Sequence, residues 1–186
     1  MILFLAGLAI FFGTHLYTTL ARASREALVK RLGAGPYRGL YSLASIAGFA
    51  LIVIGWPQAD ASVLYTPPAW GRHVAYLLTL LALILLAASL APKGKIAATV
   101  KHPMILGVKV WALAHLLANG EVRTTILFGA FLAYGVIDRI ALKRRGDHGP
   151  APGPVTNDLV AVGAGIAAWA AIFFYLHPYI AGAALR

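Results

Sequence analysis

Cysteine is absent from this chain. Its absence excludes a disulfide, a thiolate nucleophile and the CxxCH site that attaches a c-type haem covalently. Carboxylates are scarce as well, with six Asp and Glu against sixteen Lys and Arg, so a tetrahedral zinc site has few anionic ligands to draw on. Charged residues make up only 12% of the 186 residues, against roughly 25% in soluble domains.

Apolar residues fill the gap. They form 60% of the sequence at a mean hydropathy of +0.78, which describes an integral membrane protein. Six runs, near residues 2–21, 39–56, 70–91, 102–119, 124–143 and 157–180, are long enough, or nearly so, to cross about 30 Å of hydrocarbon at about 1.5 Å per residue. The expected fold is therefore an all-α bundle of about six transmembrane helices. The longest connections, around residues 22–38 and 144–156, leave no room for a soluble domain, so residues 1–186 read as a single transmembrane domain. MILFLAGLAIFFG lacks the basic stretch that precedes the core of a secretory signal, so the first helix is expected to be retained.

The net charge of +10 does not point to nucleic acid, because the basic residues sit in particular connections and not on one soluble face. Arg22, Arg25, Lys30, Arg31 and Arg38 follow the first helix; Lys93, Lys95 and Lys101 follow the third; Lys143, Arg144 and Arg145 follow the fifth. The connections PQADASVLYTPPA and NGEVRT hold only Arg123 between them. The positive-inside rule then places the basic connections in the cytoplasm and both termini outside. REALVKRL is expected as an amphipathic continuation of the first helix lying on the membrane surface. Thr66-Pro67-Pro68 is expected to start the third helix. GDHGPAPGPVTND reads as a flexible link with Thr156, Asn157 and Asp158 as competing caps of the sixth.

Ionisable groups within a bilayer are costly and are functional candidates by default. They are His15 in the first helix, His73 in the third, Lys109 and His115 in the fourth, and Asp138-Arg139 near the end of the fifth. His102 begins the fourth helix, His177 lies near the end of the sixth, and His148 reads as a solvated loop residue. Within KHPMILGVKVWALAHLLANG, His102 and His115 stand about 140° and about 20 Å apart, so they do not serve one metal together. Lys109 falls on nearly the face of His102, and Trp111 on that of His115, where it can stack on a bound ligand. Neutral histidines from different helices suit haem b, which needs no cysteine. A single buried histidine is as readily a packing residue bonded to a carbonyl, and Asp138-Arg139 with Lys143 and Arg144 reads equally as a helix-end ion pair and topology signal.

KHPMILGVKVWALAHLLANG, FFGTH, GPYRGLYSLASIAGFALIVIGW, LYTPPAW and GVIDRIALKRR together resemble the NnrU family of bacterial membrane proteins over nearly the whole chain. That family looks related to the haem b-dependent zeta-carotene isomerases. The shared pattern here is His15, Gly71 to His73, His102-Pro103 with Ala114-His115, and Gly135 with Asp138-Arg139. The resemblance implies His15 and His115 as haem ligands, with His102, Lys109, Asp138 and Arg139 as candidates to hold propionates or a polar head group. Ala112 stands where the isomerase has a cysteine, so thiolate switching of the iron is not available to this chain. By counting along the helices, His15 lies about 10 Å and His115 about 20 Å from the cytoplasmic face, which makes His73 the geometric rival for pairing with His115.

Three functions arise from these readings. The first is haem-dependent cis/trans isomerisation of a long apolar polyene such as a carotenoid. The second is a non-catalytic haem protein for nitric oxide sensing or electron transfer linked to denitrification, as the family association implies. The third rests on the likeness of HPM-x-x-G to isoprenylcysteine carboxyl methyltransferases and would use S-adenosylmethionine; Lys101 in place of their arginine weakens it. Expected partners are membrane lipids and a hydrophobic small molecule.

Overall fold

The structure, a computed structural model, describes residues 1–182. Its helices are α1 (Ile2–Leu20), α2 (Arg22–Leu32), α3 (Ala34–Gly55), α4 (Gly71–Leu90), α5 (Lys95–Val100), α6 (Pro103–Ala118), α7 (Val122–Arg144), α8 (Val155–Ala171) and α9 (His177–Ala181). A π-helical stretch, Ile172–Leu176, joins α8 to α9. α1, α3, α4, α7 and the stretch Val155–Ala181 are long and apolar enough to cross a membrane. α6 stands where the fourth span was expected but has 16 residues, about 24 Å of helix. The chain is thus a multi-pass membrane protein with five long candidate spans and one shorter apolar helix among the described residues.

Several local expectations need correction. REALVKRL does not continue the first helix: Ala21 leaves helical geometry at φ −99° and ψ 50°, and α2 begins after it. α4 starts at Gly71 and not at the prolines, because Thr66–Trp70 is non-helical and the Gly71 amide bonds the Pro68 carbonyl at 2.8 Å. None of Thr156, Asn157 and Asp158 caps α8, whose N-cap is Pro154. Asp158 instead accepts the amides of Lys95 and Ile96 at 2.9 and 3.0 Å, capping α5, while Asn157 donates to the Lys93 carbonyl at 3.0 Å. These contacts pin the Gly/Pro segment at its end, and Gly149, at φ +78°, lies directly against the Lys101 backbone.

The described residues form two compact units. The first comprises residues 1–66 and 120–141. In it α1 and α3 run antiparallel, with Gly55 opposite Phe4, Gly7 opposite Ile52 and Gly48 opposite Phe11. A Cβ on Gly7 would sit 2.5 Å from the Ile52 amide nitrogen, and one on Gly48 2.7 Å from that of Phe11. Only glycine allows so close an approach, and close packing drives helix association where lipid is as apolar as the side chains. α7 runs parallel to α1: Phe12 and Phe131 rings lie 4.9 Å apart, His15 and Tyr134 5.7 Å, and Thr19 donates to Asp138 at 2.8 Å. Each pair is offset by 119 residues, and Phe12, His15 and Thr19 follow the three-then-four spacing of a coiled-coil seam. Phe4, Leu8, Phe12, Ile52 and Ala59 form the buried core. At the α3 end the two connections pair as a short ladder, with Leu64 bonding the Gly120 carbonyl, Val122 that of Ser62 and Arg123 that of Asp60.

The second unit comprises residues 67–119 and 142 onward. α4 and α6 are antiparallel, with Gly71 against Leu117 and Gly107 against Ala82. α8 packs on the other side of α4: Gly165 meets Ile84, Trp169 Nε1 donates to Thr79 at 3.1 Å, and the Phe173 ring lies 4.9 Å from Tyr76.

Candidate functional site

The two histidines implied as ligands share one local geometry. Nδ1 of His15 lies 2.7 Å from the Phe11 carbonyl and Nδ1 of His115 lies 2.8 Å from the Trp111 carbonyl, each one helical turn back. A carbonyl oxygen only accepts, so Nδ1 carries the hydrogen in both rings, which leaves the lone pair of a neutral imidazole on Nε2. That tautomer, with Nδ1 fixed on a backbone acceptor, is one that metal-bound histidines use. The same bond also satisfies a histidine that only packs, so the geometry suits ligation without requiring it.

In the first unit His15 is half-buried and ringed by aromatics. Phe11, Tyr41 and Tyr134 have centroids 4.2, 5.5 and 5.7 Å away. Tyr134 also hydrogen-bonds Thr19, whose hydroxyl serves Asp138. Asp138 joins no ion pair among the described residues, so the helix-end ion pair with Arg139 is replaced by a neutral donor from α1. Arg139 itself is half-buried, and its Nη1 is buried without a hydrogen-bond partner. A guanidinium nitrogen left so in an apolar helix is expensive unless an anion meets it.

In the second unit His115 lies one turn from the end of α6, with the Trp111 ring 4.9 Å away. The contact of Gly71 with Leu117 sets the start of α4 beside the end of α6. His73 therefore stands at the same end of this helix pair as His115, but it is exposed, its nearest described ring being Tyr76 at 6.3 Å. His177 is near enough to His115 to interact with it electrostatically, a proximity that sequence distance hides. The stretch just before His177 is π-helical, a wider turn than the α-helix on either side.

His102 and Lys109 are placed differently. His102 is the N-cap of α6, with Nε2 3.7 Å from the Asp147 carboxylate, and Lys109 is half-buried two turns further on. Lys101, just before, has φ +67° and ψ −50°, and the His102 amide bonds the Val100 carbonyl at 2.8 Å. This is a γ-turn of the strained hand. Asp147, outside the helices, is held below the usual carboxylate range chiefly by the Gly149 amide. His148 is exposed, as expected. Among the described residues no three His, Asp or Glu side chains group to hold a bare metal ion.

The fold and these sites define a polytopic helical membrane protein that carries imidazoles on several of its apolar helices. The NnrU protein family model matches residues 3–185, and the chain belongs to the NnrU family. No curated protein and no solved structure matches it.

Proposed function

We propose that this NnrU-family protein binds haem b within the membrane, with His15 and His115 as the ligands to iron. The observation that carries the reading is the shared anchoring of Nδ1 on the carbonyl one turn back, which leaves Nε2 of each ring as the nitrogen able to bind iron. Arg139 supports it independently, because a haem propionate is the kind of anion its buried Nη1 lacks. Trp111 and the aromatic ring around His15 supply flat apolar surface against which a macrocycle or a polyene can lie. When bound, haem b supplies a redox-active iron that can exchange electron density with conjugated double bonds. The activity proposed with it is cis/trans isomerisation of a long apolar polyene, as in the isomerases whose motifs the sequence resembles. The distribution of Lys and Arg supports an inner-membrane orientation with both termini outside.

His73 is the second candidate ligand, because it lies at the same end of the α4 and α6 pair as His115. The test is an absorption spectrum of detergent-purified protein before and after dithionite, with a pyridine haemochrome assay. A Soret band, sharp reduced α and β bands and near-stoichiometric haem are expected, and His115→Ala should lose the pigment while remaining folded. Full pigment in a folded His115→Ala protein overturns His115 as a ligand. A colourless wild type from haem-sufficient cells overturns the haem reading. Carbon monoxide binding to the reduced protein would mark an axial position that opens, as catalysis needs and electron transfer does not.

A further inference from the structure

A cleft of about 370 Å³ opens in the first unit where α1, α2 and α3 meet. Its walls are Gly13, Thr14 and Tyr17 from α1, Leu28 from α2, and Tyr37, Leu40 and Tyr41 from α3. The volume falls at the lower end of small-molecule sites. The apolar wall runs on to exposed Leu40 and Leu43, which sit on the outer side of a membrane-spanning helix. A ligand can therefore enter from lipid.

The rim is cationic. The guanidinium of Arg25 lies 5.6 Å from the centre of the Tyr37 ring, at the mouth of the cleft. Arg22 pairs with Glu26 at 3.6 Å, but Arg25, Lys30, Arg31 and Arg38 have no carboxylate partner among the described residues. Tyr17 places its hydroxyl at the same corner, 3.0 Å from Ser24 Oγ. The cleft lies at the end of α1 and α3 bridged by a short basic helix, which is the headgroup level of a bilayer.

We propose that this cleft is a binding site for an anionic phospholipid of the adjoining leaflet. Arg25 holds the phosphate, with Arg38 and the α2 cations adding attraction, and one acyl chain lies along Tyr17, Leu40 and Tyr41. A soluble anion would have no use for the apolar wall, and a neutral lipid none for the unpaired cations. The site does not depend on haem. It gives α2 a role as the clasp of a bound lipid in addition to a charge that orients the chain.

Native mass spectrometry of the delipidated full-length protein, titrated with dioleoylphosphatidylglycerol or dioleoylphosphatidylcholine, tests the proposal. Wild type is expected to retain the glycerol lipid in preference to the choline lipid. Arg25→Gln should reduce that preference about fivefold, the usual worth of one surface cation. A Cβ at Gly13 meets nothing within 4 Å, so Gly13→Leu should fill the cleft and abolish the retained lipid while the melting temperature in detergent holds. If Gly13→Leu does not fold, Leu40→Trp at an exposed position closes the mouth instead. Equal retention of the two lipids by wild type overturns the proposal, as does an undiminished preference in Arg25→Gln or a filled cleft that still holds lipid. Displacement of the lipid by millimolar inorganic phosphate alone would make it a soluble-anion site and overturn it equally.

Discussion

Single residues carry the chemistry. Tethering Nδ1 to a carbonyl is local, since it needs only the residue one turn back, so His15 and His115 reach the right tautomer through their own helices. The orphaned Nη1 of Arg139 makes a separable prediction. Arg139→Gln removes a buried charge that has no protein acceptor there, so the haem-free protein should melt no lower than wild type, while haem retention on washing should fall. Equal haem retention would show that the guanidinium serves no bound anion. The roles of His115 and Arg139 as candidates were legible because a charged or imidazole side chain is conspicuous in an apolar run. Tyr41, Tyr134 and His177 were not legible as neighbours of these histidines, because an aromatic residue is ordinary there and proximity in space leaves no mark on spacing along the chain.

At the scale of elements, the helices follow from composition, and their contacts follow from glycine and from caps supplied by other elements. Gly48 lets α3 touch α1 backbone to backbone, whereas Gly163 on α8 has open space where a Cβ would be. Gly48→Leu should therefore destabilise the protein by roughly 1–3 kcal/mol or prevent folding, and Gly163→Ala should be neutral or stabilising by up to about 1 kcal/mol. Thermal unfolding in one detergent compares the two, and equal effects would contradict the α1 to α3 seam. Asp158 belongs to this scale too. Its carboxylate caps α5 from α8, so Asp158→Ala should cost about 1 kcal/mol and speed amide exchange within Lys95–Val100 more than within α8. From sequence the same residue reads as a cap of its own helix, because short-range pattern does not reveal a partner 63 residues away.

For the whole molecule, the membrane decides most of the architecture, and a connection outside the helices carries an acid-sensitive contact. The Ser62 amide donates to Asp60 at 2.8 Å and holds that exposed carboxyl below its ordinary range. A lowered folded pKa gives stability that is complete above the unfolded value and is lost as pH falls through the folded one. The unfolding midpoints of wild type and Asp60→Asn should therefore differ near neutral pH and converge in acid; a constant offset would assign the effect to packing. The sequence by itself determined that the chain is helical, lies in a membrane, has its apolar helices in these places and has no thiol chemistry. Burying about twenty apolar residues in lipid needs nothing beyond their own helix to satisfy the backbone. Only the tertiary structure decided that α1 and α7 run in register with Thr19 on Asp138, that α5 is capped from α8, that α2 bends away at Ala21 to close a cleft, and that His177 comes near His115. Each of these is a contact between helices distant in sequence or a break in one. Such features are set by which side chains fit against each other once the helices pack, and hydropathy does not encode that fit.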